Sequence, residues 1–427
     1  MKTCELKTHR NQRRKIVTVT FSLFCGTIAA NLVFAQTWTQ TSATSNAWAT
    51  IACSADGMKL FTGAGPDTPS GPTKPIYVST NGGLDWSQTS SPSNAWISIA
   101  SSADGTKLVA AVKNGGIYTS KNGGLNWTSN KIASASWQSV ASSTDGAKFF
   151  CMASSSQLLS GQLYLTTNSG ISWVSNAAPM GACWITCSAD GTKLTAASLG
   201  GYIHGSTNLG ASWTTNYPSI FPNSWGAVAS SADGNVLAAV AGNSTLSSTI
   251  LGFIIVSTNA GATWFSSDVP LQSWRSVAVS EDGTKLIAAA WRTSSSSSGP
   301  IYTSTNSGAT WAANNISNSV WSAVACSADG AKLMTVSTGD AVNGRVVING
   351  HIWTSQTAVP PKLNITPTNG LELSWLIPST DFVLQQSDDL ISWADVTNAP
   401  VLNLTNLQNQ VTLEPSGSPG FYRLKTP

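Results

Sequence analysis

The sequence predicts an all-β fold: a seven-bladed β-propeller closed by its N-terminal strand, followed by a small C-terminal β-sandwich-like domain. Three observations carry this. Two half-motifs alternate along residues 36–357 at a period of 40 to 51 residues. Each pair holds four strand-like segments punctuated by turn dipeptides, the pattern of a propeller blade. The segment missing from the last unit stands at the start of the mature chain.

The first half-motif reads Trp-x-x-Val/Ile-Ala-x-Ser-x-Asp-Gly-x-Lys-Leu and begins at Trp48, Trp96, Trp137, Trp225, Trp274 and Trp321. A seventh copy, from Ala182 to Leu194, lacks the leading Trp and carries Trp184 two residues later. Its apolar start predicts an inner strand. Its Asp-Gly predicts a hairpin turn, and Lys-Leu with the small and branched residues after it predicts a second strand. The second half-motif, Ser79-Thr80-Asn81-Gly82-Gly83-Leu84-Asp85-Trp86, recurs ending at Trp127, Trp173, Trp213, Trp264 and Trp311. It predicts a third strand, an Asn/Gly turn and a short outer strand. No stretch has the length and 3.6-residue period of an amphipathic helix.

The seventh unit reaches Ile352-Trp353-Thr354-Ser355 and then lacks its box and outer strand. Thr37-Trp38-Thr39-Gln40 precedes Trp48 much as Asp85-Trp86-Ser87-Gln88 precedes Trp96. The N-terminal segment is therefore expected to complete the last blade, pairing two sheet edges that would otherwise be exposed.

Residues 1–35 read as a secretory signal peptide. Lys2, Lys7, Arg10, Arg13, Arg14 and Lys15 precede an apolar stretch ending in Val33-Phe34-Ala35. The stretch is too short and polar for a comfortable membrane span. The expected location is extracytoplasmic. Subtracting the leader's +5 from the chain's +3 leaves −2 on the mature chain, so no cationic face for nucleic acid is implied. Only 10% of residues are charged and there are 18 Trp, against about 25% charged in an average domain. Cys53, Cys151, Cys183, Cys187 and Cys326 form an odd set without a C-x-x-C pair. They read as small buried strand residues rather than disulfides or metal ligands.

The second half-motif resembles the Asp box, or BNR repeat, of the sialidase-like superfamily, with Asn in the Asp position. Similar boxes occur in sialidases, xyloglucan-acting glycosidases, sortilin-type receptors and photosystem II assembly factors. There the box is a folding element remote from the active site. Sialidase chemistry, which the resemblance would imply, needs three arginines and a Tyr/Glu pair. The family's early Arg-Ile-Pro motif is absent, the propeller's arginines all fall in blades 6 and 7, and Glu281 is its only Glu. The photosystem family's basic patch is not evident either.

A site is expected in the loops joining the outer strand to the next blade and the second strand to the third, which share one face and vary between blades. Those loops nominate Lys74, Tyr217, Asp268, Arg275, Trp291, Arg292, Asn343 and Arg345 for binding. The six leading tryptophans begin near the same face, where an aromatic ring could stack on sugars; packing between blades is the plainer reading. Asp67 and Asp340 are the one plausible carboxylate pair, as glycoside hydrolysis requires. His204 and His351 read as isolated strand histidines. No metal motif, cofactor loop or nucleophile elbow is present.

Ala358-Val359-Pro360-Pro361 breaks the repeat and, with residue 362, reads as a linker. Residues 363–427 resemble a fibronectin type III-like module, with strands expected at Leu371–Trp375, Phe382–Gln386, Trp393–Val396, Gln410–Leu413 and Phe421–Lys425. The leading expectation is a secreted, monomeric, non-enzymatic propeller that binds a glycan or protein. An Asp-box glycoside hydrolase using Asp67 and Asp340 is the alternative, and an assembly factor a third reading.

Overall fold

Each Asp-Gly dipeptide reverses the chain through a turn sewn by its own side chains. In blade 2 the Ser102 hydroxyl donates to the Asp104 carboxylate at 2.6 Å, which also accepts the Thr106 amide at 2.9 Å. The Lys107 amide closes back on Ser102 Oγ at 2.9 Å. Gly105 sits at φ +67°, where any Cβ would be strained. The same pattern recurs at Asp56, Asp145, Asp190, Asp233, Asp282 and Asp329. In the second half-motif Ser79 Oγ accepts the Gly83 amide at 2.8 Å and Asn81 Oδ1 accepts the Asp85 amide at 2.9 Å. Asn gains over Asp a donor, since its Nδ2 reaches Asp85, Ser172, Ser212, Thr263 or Thr310 in five of the boxes. The two turns of a blade touch, as where Gly82 N donates to Met58 O at 2.8 Å. They share one face of the molecule, here the turn face. The opposite, loop face carries the remaining connections.

The computed structural model describes residues 38–65, 73–130, 132, 135–153, 161–217, 225–242, 252–292, 298–316, 319–342, 345–347, 349–356, 363–367, 371–376, 383–387, 392–398, 400–403, 408–413 and 421–425. Residues 1–35, Asp67, Asn343 and the 358–362 linker lie outside them. No helix occurs among the described residues.

Seven antiparallel sheets follow one another along the described propeller region, six of them with four strands laid side by side in chain order. Blade 2 is typical, with Trp96–Ser101, Leu108–Val112, Ile117–Ser120 and Thr128–Ser129. The seventh takes its outer strand from the N-terminus. Trp38–Gln40 pairs antiparallel with Ile352–Gln356 in the register Trp38↔Ser355, Thr39↔Thr354 and Gln40↔Trp353. Each inner strand lies against those of the neighbouring blades, and Val320–Cys326 lies against Trp48–Cys53. A closed ring of seven main-chain hydrogen bonds of 2.7–2.9 Å ties the turn-face ends together. It runs Ala55 N to Ala103 O, then through Thr144, Ala189, Ala232, Glu281 and Ala328 back to Ala55 O.

The inner-strand tryptophans Trp48, Trp96, Trp137, Trp225, Trp274 and Trp321 are fully buried. Four stand edge-on to the third-strand tyrosine of their own blade, as Trp96 does to Tyr118 at 5.5 Å. Trp96, Trp137 and Trp321 donate their indole N–H to carbonyls of the preceding blade, Lys74, Gly115 and Gly299, at 2.8–2.9 Å. They are inter-blade core and present no face to a ligand. In blade 4 the small, buried Ala182 fills the corresponding slot.

Beyond residue 362 lie two further sheets. One orders Asn364–Pro367, Leu371–Leu376, Gln408–Leu413 and Val401–Asn403; the other orders Ala394–Asp395, Val383–Ser387 and Phe421–Lys425. Leu373, Trp375, Leu384 and Val411 form their shared core. The first and the Val401–Asn403 strands were not expected from the sequence, being short and flanked by polar residues.

Candidate functional site

The inner strands carry an irregularity that the repeat itself dictates. In every blade the pairing with the second strand skips one residue immediately after the Trp position. Such a bulge leaves that residue out of the ladder and re-aims it. The seven bulged residues are Ala49, Ile97, Gln138, Cys183, Gly226, Arg275 and Ser322, and all of them line one cavity of about 1020 Å³ inside the ring of inner strands. That is the upper range of small-molecule sites. The next position stays small except for Trp184 in blade 4 and the one after it is always Val or Ile, whereas the bulged residue differs in every blade. Loop-face residues Lys113, Leu199, Trp291 and Thr338 and the half-buried Trp184 of blade 4 also line the cavity.

Arg275 is the one charged residue among the bulges. It keeps only intermediate exposure, and desolvation pulls its pKa below the ordinary arginine value. Among the described residues no carboxylate offsets it and no Asp or Glu lines the cavity. The neighbouring Gly226 lets blade 6 approach, because a Cβ there would meet the Trp274 carbonyl at 2.8 Å.

A smaller cavity of about 200 Å³ lies at the turn-face end, lined by Cys53, Cys187, Cys326 and Glu281. Burial, with Asp282 nearby, pushes the Glu281 carboxyl up to about 8. Burial likewise raises Cys187 and Cys326 to about 12. All five cysteines among the described residues are free thiols. No group of three His, Cys, Asp or Glu among the described residues could hold a metal ion.

The residues nominated from the sequence scatter. Arg275 and Trp291 do meet at the cavity, but neither is a loop residue: Arg275 belongs to the inner strand Ser273–Val279 and Trp291 to the second strand Leu286–Arg292. Tyr217 ends the outer strand of blade 4 and packs edge-on against Trp225 and Trp264 at 5.9 and 6.1 Å, so it is scaffold. Lys74 joins a bridge to Asn94, and its carbonyl is committed to Trp96. Asp268 is an exposed loop residue away from the cavity lining. Asp340 and Arg345 lie in a strand pair, Lys332–Val342 with Arg345–Val347, where an irregular loop was expected. The alternation of that segment extends the ladder. Arg292 closes its strand, opposite Ser273. The Asp67–Asp340 pair cannot be assembled from the described residues. His204 and His351 stay apart, bonded to Thr215 and Gln40.

No family model and no curated protein matches the chain. Solved structures do. A GH74 xyloglucanase from Xanthomonas campestris is similar with a TM-score of 0.55 and 13% identity, over 80% of this chain; the match spans 59% of that protein. YCF48 bound to D1 peptide is similar with a TM-score of 0.51 and 14% identity, over 76% of this chain and 97% of that one. Kuenenia stuttgartiensis hydrazine synthase is similar with a TM-score of 0.53 and 14% identity, over 75% and 98%. At such identities the likeness carries the architecture alone, and with the repeated four-stranded sheets it establishes this chain as a β-propeller.

Proposed function

We propose that the protein is an exported, non-enzymatic binding or scaffold propeller that receives a glycan or protein ligand at the loop-face mouth of its channel. One observation carries this reading: a ligand-sized cavity whose wall is invariant in frame and different in every blade at the bulged position. Variation concentrated at one station of a rigid repeat is how a scaffold acquires recognition. Folds of this kind take polypeptide ligands, as YCF48 does with D1 peptide, and also host hydrolases such as the xyloglucanase. Export rests on the basic, then apolar, 35-residue leader.

The test uses the mature chain, residues 36–427, on a glycan array and in crosslinking pull-downs, beside a hydrolase assay on xyloglucan with an Asp340→Ala control. Saturable binding without turnover is expected. Turnover that Asp340→Ala abolishes would replace the binding reading with a glycosidase. Mass spectrometry of the exported protein is expected to show a chain starting at Gln36.

A further inference from the structure

We propose that the channel mouth is an oxyanion site for an acidic saccharide, a uronate or a sulfated sugar, with Arg275 as its anchor. The inference deepens the binding reading and rests on it. A guanidinium held against the cavity wall, partly shielded from water and with no carboxylate beside it among the described residues, leaves its charge available to whatever enters the cavity. Among the described residues nothing offsets it. Arginine does not escape by losing its proton. The blade-6 bulge aims this side chain at the cavity, and the small residues at the neighbouring bulges, Gly226 and Ser322, leave that part of the wall open. A bound carboxylate or sulfate would meet the fork of donors in the geometry arginine favours.

The rest of the wall suits a sugar. Trp291, 36% exposed at the mouth, and Trp184 offer indole surface. Gln138, whose amide reaches Ser136 Oγ at 3.3 Å, offers donors and acceptors for ring hydroxyls. Lys113, exposed at the mouth, adds a second positive charge. Among the described residues the wall carries Arg275 and Lys113 and no acid, so their charge there is positive although the mature chain is net negative.

The experiment is calorimetric titration of the mature chain with glucuronate, N-acetylglucosamine 6-sulfate, glucose and a tripeptide with a free or amidated C-terminus. Glucuronate and the sulfated sugar are expected to bind and glucose not. Arg275→Gln is expected to weaken both acidic sugars at least tenfold while leaving thermal stability close to that of the wild type, because the side chain is only part-buried and faces the cavity. Lys113→Gln, at an exposed site that folding does not need, is expected to weaken them two- to threefold and to flatten the salt dependence; it serves the same purpose if Arg275→Gln does not fold. Equal binding of glucose and glucuronate, or unchanged binding in both variants, overturns the oxyanion site while leaving the propeller a binding protein. Binding of the free-carboxylate tripeptide with no response to either acidic sugar overturns the saccharide assignment. Asp340→Asn is expected to match the wild type, and a tenfold gain in glucuronate affinity there would show that Arg275 is already neutralised by that carboxylate and refute the proposal.

Discussion

Removing the N-terminal strand tests how the last blade is held. A chain beginning at Ala43 lacks Trp38–Gln40 and its pairing with Ile352–Gln356. The three register pairs supply about three ladder hydrogen bonds, and, besides exposed side-chain bonds, two more are lost: Thr41 N to Ile352 O at 2.9 Å and Trp38 Nε1 to Asn314 Oδ1 at 3.2 Å. At about 0.5–1.5 kcal/mol net for each bond, with about 1 kcal/mol for the half-buried Trp38 ring, the expected loss is roughly 3.5–8.5 kcal/mol. That is a large share of the about 5–15 kcal/mol that holds a domain folded. The truncation also bares Ile352–Gln356 as a sheet edge, which invites self-association. Urea unfolding followed by tryptophan fluorescence measures the first effect and size-exclusion chromatography the second. A synthetic peptide of residues 36–42 added in trans is expected to restore both. The turn-face ring does not involve this strand, so the truncated chain is expected to fold at low temperature. A stability loss under about 1 kcal/mol, where five bonds and a ring demand several times that, would refute the reasoning.

Three further outcomes follow from the structure. Trp96→Ala, which empties a fully buried slot and takes the indole donor from the Lys74 carbonyl, is expected to lower unfolding free energy by about 3–5 kcal/mol in the same urea assay. Glu281, ordinarily at 4.5, is raised to about 8 by burial, so the folded state holds that proton more tightly than the unfolded chain; stability is greatest below about 4.5 and falls as pH rises to about 8, and Glu281→Gln is expected to remove this slope from the thermal melting profile. Asp104, Asp145, Asp190 and Asp233 run the other way: burial alone would raise them, but the turn hydroxyls and amides outweigh it, so their contribution is lost only on acidification below the ordinary carboxylate range. The five mature thiols, of which Cys151 and Cys183 are buried and all are free, are expected to stay silent to a disulfide exchange reagent at neutral pH and to react together once the protein is unfolded.

The repeat made the frame legible because backbone reversals have strict chemistry. Ser-x-Asp-Gly and Ser-x-Asn-x-Gly each specify a turn through side-chain acceptors, and the strands between them follow from spacing. The pairing of Trp38 with Ser355 was readable because Trp38-Thr39-Gln40 repeats Trp86-Ser87-Gln88. The site was less legible. Sequence reasoning looked for variation between half-motifs, in loops, and so chose Tyr217, which packs on Trp225 and Trp264. The informative variation lay inside the motif, at the residue after each Trp. A bulge is invisible to a period-two reading, because the ladder resumes in phase one residue later. Arg275 was nominated among the loop residues; its aim into the channel depends on that bulge. The burial of the six tryptophans was the reading their repetition favoured.

The seven links that close the turn face run between main-chain atoms only. No side chain is needed at those stations, which is why Thr144 and Glu281 stand where Ala55, Ala103, Ala189, Ala232 and Ala328 stand elsewhere. The same separation holds at the other end of each inner strand, where the bulge is a property of the backbone and its occupant ranges from glycine to arginine. Recognition can therefore be rewritten one blade at a time without renegotiating the architecture, and a new specificity could be grafted at the bulged positions other than Gly226, where a Cβ would meet the Trp274 carbonyl, and Ser322, whose hydroxyl bonds neighbouring strands.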